Sequence, residues 1–315
     1  MPDLVSVIIP NWNGARFLTT CLESLARQTY YNIEVMVVDN ASDDGSQALI
    51  KARYPHVKLI ELPINRGFTG ACNTGLWFAR GEIVALLNND TEVDPAWVAA
   101  IVDAFARHPE AGAVASKMLL FERRDHIHTT GDYFTTDGRA GNRGVWELDS
   151  GQYDEEAYMF SACGGSSAYR RSLLDAVGGL DDDFFFSGED VDLGWRANLA
   201  GWRCLYTPRA VVYHQLSATG SGVTASFYDG RNLITMLIKN MPSGLWTKYG
   251  YRIRRAQFEI ARDAVRAWRG QAARARLRGM TTGLIQFPRA WRKRRTIQAT
   301  RRTTDAQIDA MLTDR

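Results

Sequence analysis

Short apolar runs, each cut off by polar residues, alternate with stretches in which apolar residues recur every three or four positions. Val5-Ser6-Val7-Ile8-Ile9-Pro10 predicts a first strand closed by proline. Between Arg16 and Arg27, Leu18, Leu22 and Leu25 share one helical face. Ile33–Val38 predicts a second strand and Val57–Glu61 a third, and the stretch opened by Asn65 predicts a helix to Arg80. Ile83-Val84-Ala85-Leu86-Leu87 is apolar without a break, the pattern of a strand buried on both faces. This alternation, sustained through about residue 110, predicts an α/β fold with a mostly parallel central sheet flanked by helices.

After Pro109 the pattern changes. Gly112–Ser116 predicts a further short strand, and residues 120–160, rich in Gly, Asp and aromatics, predict loops and hairpins covering a site. Glu189 opens a helix that Gly201 ends, Ala210–His214 predicts another strand, and residues 227–315 are expected to be mainly helical. The expected organisation is a catalytic unit at 1–235, made of a nucleotide-binding half (1–110) and an acceptor half (111–235). A basic helical region follows at 236–315.

Ligands of open α/β sheets bind beyond the carboxyl ends of the strands, so polar residues there are the first candidates. Asn88, Asn89 and Asp90 end the central strand, and Asp90 offers a hard oxygen ligand for Mg2+ or Mn2+ shared with a phosphate. An ordinary strand-to-helix turn, with Asp94-Pro95 capping the next helix, is the plainer reading. Asp39 and Asn40 end the second strand, where Asp39 is either an acceptor for a base or ribose donor or a turn residue. The turn Asn65-Arg66-Gly67, with Asn73, is placed to meet phosphates at a helix N-terminus. No G-x-G-x-x-G follows the first strand and no P-loop occurs, so a nucleotide must be held by other means.

A second cluster starts at Cys163-Gly164-Gly165-Ser166, where small residues permit close approach of a ligand. Phe184-Phe185-Phe186 reads as an aromatic loop. Gly164–Ser167 and this loop are the expected acceptor pocket. Glu189-Asp190 suits a first helical turn through the helix dipole, and like-charge repulsion within the pair raises one pKa. His214 ends a strand, where a lone histidine is ordinarily structural. His126 and His128 mimic a metal pair, but no third ligand lies near them in sequence.

Composition is that of a globular protein, 45% hydrophobic and 23% charged over 315 residues. No apolar run approaches the roughly 18 residues of a membrane span, and Met1-Pro2-Asp3-Leu4 leads into a strand without signal-peptide features. Cys21, Cys72, Cys163 and Cys204 form no Cys-x-x-Cys pair and read as reduced thiols of a cytoplasmic protein. The net charge of +3 hides a division: from Tyr251 onward, 17 Lys+Arg face only 5 Asp+Glu. With Trp246, Trp268, Phe287 and Trp291 interspersed, this tail suits anionic lipid at the inner face of the plasma membrane, or packing on the core or a second subunit as a homodimer. Arg231, just ahead of it, is a candidate to reach back to a diphosphate. Nucleic acid is a poor partner, because no recognition motif accompanies the charge.

In their order and spacing, Val5–Pro10, Val38-Asp39-Asn40-Ala41-Ser42-Asp43-Asp44-Gly45-Ser46, Asn65-Arg66-Gly67 with Asn73-Thr74-Gly75, and Leu87–Asp90 form a series. It continues with Gly178-Gly179-Leu180-Asp181, then Phe185-Phe186 with Glu189-Asp190-Val191-Asp192-Leu193 and Arg196, and ends at His214. Together they resemble the family 2 glycosyltransferases over roughly residues 4–235, and within them bacterial rhamnosyltransferase-type enzymes of cell-surface polysaccharide assembly. The resemblance implies a GT-A fold, a nucleotide-diphosphate sugar donor (dTDP-rhamnose or a UDP-sugar), Mg2+ or Mn2+, and inversion at the anomeric carbon. It implies a saccharide or lipid-linked saccharide acceptor. Pro10, Asn11, Asn13, Asp39 and Asn65–Gly67 match segments that hold the nucleoside, Asp90 and His214 match metal positions, and Asp190 matches the catalytic base. Asn88 stands where the family's D-x-D motif has its first Asp. The Q-x-x-R-W of processive members is absent, which implies that one sugar, or a few, is added. The alternatives are a sugar nucleotidyltransferase, whose Gly-rich Arg-bearing loop after strand one is not provided by Asn11–Gly14, and an inactive sugar- or lipid-binding scaffold.

Overall fold

Val5, Val7 and Ile9 point to one face of strand β1 (Val5–Asn11) and Ile8 to the other, and all four are fully buried. A strand apolar on both faces belongs in the middle of a sheet, and β1 lies there. The structure is a computed structural model that describes residues 3–216 and 222–314, so Met1-Pro2 lies outside it. The first half alternates as expected: α1 (Ala15–Ala26), β2 (Ile33–Asp39), α2 (Ser46–Arg53), β3 (Lys58–Glu61), α3 (Gly67–Phe78), β4 (Ile83–Leu87), β5 (Thr91–Val93), α4 (Trp97–Arg107). Then come β6 (Ala111–Leu120), β7 (Ile127–Thr129), β8 (Asp132–Phe134), β9 (Ala140–Asn142), β10 (Ala157–Met159) and β11 (Ser166–Arg170). The chain continues with α5 (Arg171–Val177), α6 (Glu189–Leu199), β12 (Arg203–His214), α7 (Gly222–Asn240) and α8 (Ser243–Arg266). It ends with α9 (Gln271–Ile285), α10 (Phe287–Ala299) and α11 (Asp305–Asp309).

The large sheet has the order β10-β12-β6-β11-β4-β1-β2-β3, with β5 on β12 and β7 on β6; β8 and β9 pair separately. β3, β2, β1 and β4 are parallel, and beyond β4 the sheet is mixed. β11 runs antiparallel between β4 and β6, with Ser166 opposite Leu87. Its start, not its end, therefore reaches the edge where β1, β2 and β4 finish. β12 runs parallel to β6 with His214 opposite Leu120, and antiparallel to β5 with His214 opposite Thr91. That pairing carries Asp90 to His214. β6 and β12 are much longer than the runs at 112–116 and 210–214 predict, because neighbours on both sides extend their pairing.

One core fills each face of the sheet, against α1 and α4 on one side and against α3, α5 and α6 on the other. A third joins Phe134, Phe160, Phe184, Val191 and Trp195 to Met236, Leu237, Leu245 and Ile253. The boundary expected at residue 235 thus falls inside α7 and inside a shared core, so the basic helices are packed into the catalytic unit. All four cysteines are free. Among the described residues no helix is long and apolar enough to cross a membrane.

Candidate active site

The loops after β1, β2 and β3 are tied together by asparagines. Asn11, beside Pro10 at the end of β1, donates to Asp39 Oδ1 at 3.0 Å and accepts from Asn89 Nδ2 at 2.7 Å. Asn13 adopts φ 51°, its amide donating to Ser42 Oγ and its Oδ1 accepting from the Asp43 amide, both at 2.9 Å. Asn40 donates to Asn65 Oδ1 at 2.9 Å and to the Gly67 carbonyl at 3.0 Å, and accepts from the Arg66 amide at 2.8 Å. The Arg66 side chain stays exposed where α3 begins. An amide carries both donor and acceptor, so one residue can bridge two loops without charge.

Three residues expected to hold the donor face elsewhere. Asp39 is completely buried, and its carboxylate accepts from Asn11, from the Ser42 amide at 3.0 Å and from Gln47 Nε2 at 2.7 Å. A carboxylate out of water needs such donors, and these organise the loop after β2. Asn73 donates to the Leu180 carbonyl at 2.8 Å and to Asp182 Oδ1 at 2.7 Å, fastening α3 to the loop ahead of α6. Arg231 is taken up by the carbonyls of Asp183 and Phe184, the latter at 2.8 Å, instead of reaching toward the nucleotide segments.

At the ends of β4 and β12, Asp90 Oδ1 lies 3.0 Å from His214 Nε2, with both residues buried. The His214 Nδ1 meets His128 Nδ1 on β7 at 3.1 Å, with ring centroids 4.8 Å apart. Burial, with the neighbouring His214 ring adding to it, pushes His128 down to about 3, so this ring is neutral. For His214 Nε2 to present a lone pair, its proton must sit on Nδ1, and His128 Nδ1 is placed to accept it. His126 pairs with Asp125 at 2.8 Å and stays out of this corner.

One carboxylate oxygen and one imidazole nitrogen suit Mg2+ or Mn2+. Ligands at about 2.1 Å in adjacent octahedral positions stand about 3 Å apart, as these two atoms do. Among the described residues no group of three or more His, Cys, Asp or Glu gathers to hold a metal.

Asp190, in the first turn of α6, accepts from the Gly164 amide at 2.8 Å. Gly164 lies against both acids: a Cβ there would stand 3.4 Å from Asp190 Oδ2 and 3.5 Å from Glu189 Oε1. A Cβ on Gly165 would stand 3.6 Å from the His214 ring and 3.5 Å from Asn88 Nδ2. Two consecutive glycines before Ser166, the first residue of β11, thus run from the acid pair to His214, with Met118 and Phe68 packed beside them. Burial raises the Glu189 pKa and the Asp190 charge raises it further; its Oε2 has no hydrogen-bond partner. Burial also raises Asp190, opposed by the Gly164 and Val191 amides. Asp132, held by Ser161 and Asn142, is raised by burial and by Asp190.

The loop before α6 is strained: Phe185 and Ser187 adopt φ 61° and 71°. α7 holds it in place. Asn232 Nδ2 lies 2.7–3.1 Å from the carbonyls of Phe184, Phe186 and Ser187, and Tyr228 stacks on Phe185 at 5.3 Å. Buried Lys239 pairs with Asp181 and Asp192. The Phe185 carbonyl also accepts from the Thr69 amide at 3.3 Å, so this loop touches the nucleotide side as well. Tyr228, Asn232 and Lys239 escape a reading of the sequence, and His128, noted there beside His126, meets His214 instead. The one available signal was a lone lysine in the apolar run Leu237-Ile238-Lys239.

Comparison with known proteins agrees with this geometry. Residues 6–178 match the model of glycosyl transferase family 2. An N-acetylglucosaminyl-diphospho-decaprenol L-rhamnosyltransferase of Mycobacterium tuberculosis is 28% identical over 272 residues, covering 78% of this chain and 87% of the relative. The O-antigen biosynthesis protein RfbC of Myxococcus xanthus is 31% identical over 68% of this chain, which spans only 17% of that protein. Among solved structures, the mannosyltransferase PcManGT of Pyrobaculum calidifontis, in complex with GDP-Man and Mn2+, superposes with a TM-score of 0.57 at 21% identity. It covers 95% of this chain and 85% of its own. A mixed sheet that gathers its polar residues at one edge is thus a GT-A fold, and the chain is a glycosyltransferase belonging to family 2.

Proposed function

We propose that this enzyme transfers a single sugar, with inversion, from a nucleotide-diphosphate donor to a saccharide or lipid-linked saccharide in cell-surface polysaccharide synthesis. The observation that carries the reading is the Gly164-Gly165 step, in which one glycine lies against the Asp190 carboxylate and the next against the His214 ring and Asn88. dTDP-rhamnose or a UDP-sugar is the favoured donor, supported by the similarity to the mycobacterial rhamnosyltransferase.

Asp190 takes the proton of the acceptor hydroxyl as that oxygen attacks the anomeric carbon from the face opposite the leaving diphosphate. Its backbone donors favour the ionised form, while burial and the Asp190 charge raise the pKa of Glu189 beside it. Asp90 and His214 are the residues that would hold Mg2+ or Mn2+, which when bound neutralises the charge on the departing diphosphate. Asn11, Asn13, Asn40 and Asn65–Gly67 shape the nucleoside cleft, and Arg66 supplies positive charge at its rim. Gly164–Ser166 and Phe185-Phe186 line the acceptor side. The outer face of the basic helices exposes Phe258, Trp268, Ile285 and Trp291 among arginines, which suits contact with an anionic bilayer.

The test is thermal stability with UDP, dTDP, GDP and CDP, each with and without Mn2+, followed by transfer from the matching sugar donor. Binding to the folded state raises the melting temperature with occupancy. A metal-dependent rise with one nucleotide, and inverted product, is the expected result. No rise with any of them favours an inactive sugar-binding scaffold.

A further inference from the structure

Away from the cleft, the basic helices carry two adjoining hollows. The larger, about 990 Å³, is lined by Val223, Phe227, Trp268 and Leu277, with Arg274 and Arg278 beside them. The smaller, about 420 Å³, has Ile238, Ile253, Phe258 and Leu284 in its walls. Both include Leu277 and Thr281, so they meet there as one groove over α7, α8 and α9. Both volumes fall in the range of small-molecule sites, about 300–1,000 Å³. Phe258, Leu284 and Trp268 are 67%, 60% and 56% exposed, an apolar surface that a protein facing only water does not keep without use.

The groove is connected to the reacting end of the molecule. Phe227 contacts Tyr228 edge-on with centroids 5.3 Å apart, and Tyr228 stacks on Phe185 of the loop that leads to Asp190. On α9, Arg276 pairs at 3.0 Å with Asp229, which accepts from Ser187 of the same loop. An occupant that fills both hollows is long, apolar along most of its length and anionic near Arg274 and Arg278. A second copy of this chain fits poorly, since the tail from Tyr251 onward carries 17 Lys+Arg against 5 Asp+Glu and two such faces repel.

We infer that this groove binds the isoprenoid chain and diphosphate of a lipid-linked acceptor, which positions its sugar at Asp190. The inference rests on the proposed transfer to a lipid-linked saccharide. The branched hydrocarbon lies among Val223, Leu277, Ile253 and Leu284, and the two phosphates face Arg274 and Arg278.

The experiment is calorimetric titration of the full chain with farnesyl diphosphate, inorganic pyrophosphate and phosphatidylglycerol vesicles. Thr281 is exposed where the hollows join, so Thr281→Trp fills the groove with little risk to folding. Farnesyl diphosphate should bind at least about tenfold tighter than pyrophosphate, and Thr281→Trp should weaken it about tenfold, a change well outside titration error. The melting shift given by nucleoside diphosphate with Mn2+ should not change in that variant. Equal affinity for pyrophosphate would reduce the groove to a free-phosphate site, and binding to vesicles alone would make it a bilayer face. Farnesyl diphosphate bound equally by parent and variant would place the lipid elsewhere. Each of these overturns the inference. Transfer is scored separately: lipid-acceptor turnover unaffected by Thr281→Trp removes the groove and keeps the function. Groove binding without transfer from any donor removes the function and keeps the groove.

Discussion

Lys239 Nζ lies 2.7 Å from Asp192 Oδ1, with both side chains sealed from water, and the same ammonium pairs with Asp181. Asp192 sits two residues beyond Asp190, so a lysine of α7 anchors both the helix that carries the proposed base and the loop before it. Removing one partner of a buried ion pair costs up to about 3–5 kcal/mol, although Arg196 would still meet Asp192 and Lys293 would still meet Asp181. Lys239→Met should lower unfolding free energy by up to that amount in urea titration. A variant as stable as the parent would show that α6 holds its place without α7.

The carboxylates around α6 split into two sets with opposite pH dependence. Burial works to raise Asp181 and Asp192, but the Lys239 charge and its hydrogen bonds outweigh it and hold both below the usual range. Their stabilisation is present above the unfolded pKa, near 4, and is lost as pH falls through the folded values. Burial raises Glu189 and Asp132, so theirs is present below the unfolded pKa and is lost as pH rises through the folded values. Glu189→Gln, which never ionises, should therefore gain stability relative to the parent between pH 5 and pH 8, and the gain should grow as pH rises. Melting curves across that range check it, and a gain that shrinks as pH rises contradicts a raised pKa at Glu189.

Asp190→Asn keeps the hydrogen bond from the Gly164 amide, made through the side-chain oxygen, but cannot take a proton. Turnover should fall by about 10²–10⁴, the ordinary contribution of a general base, while the nucleotide-dependent melting shift is retained. The acid limb of the parent's rate profile should lie above the usual aspartate range near 4, since burial raises this group. A limb at or below 4 would assign the base elsewhere.

His128 offers a sharper test of the corner at β12. Its ring is neutral and its Nδ1 faces His214 Nδ1 at 3.1 Å. If it fixes the tautomer that leaves His214 Nε2 open, His128→Ala should weaken Mn2+ binding about 10–100-fold, the usual cost of losing a partner that orients a metal ligand. Calorimetric Mn2+ titration in the presence of the nucleoside diphosphate measures this directly. Unchanged affinity would make the pair a packing contact.

What the chain discloses before folding depends on distance along it. Strands β1 to β4 were readable because burial on one or both faces leaves a local period in the residues themselves, and the positions of Asn88, Asp90 and His214 at strand ends followed. The partners of those residues were not readable. Lys239 lies 58 positions from Asp181, and His128 lies 86 from His214. Periodicity reports that a side chain is buried, not which remote group meets it. The same limit explains Asp39 and Asn73, polar residues at the expected edge whose donors and acceptors proved to be internal. It also bears on residue 235, which lies inside α7, whose Met236 and Leu237 share a core with Phe134 and Trp195 far back in the chain.

On the proposed function, the reversed direction of β11 would bring donor and acceptor recognition from two different parts of the chain. Loops after β1, β2 and β3 belong to the first hundred residues, while residues 162–166 and the loop before α6 enter the same space from a later part of the chain. Lineages can therefore exchange one grip without disturbing the other. A shift in which molecule receives the sugar should arise from changes at 160–190 and in α7 to α9, with the choice of nucleotide left intact. Chimeras built at the start of β6 would inherit donor preference from one parent and acceptor preference from the other.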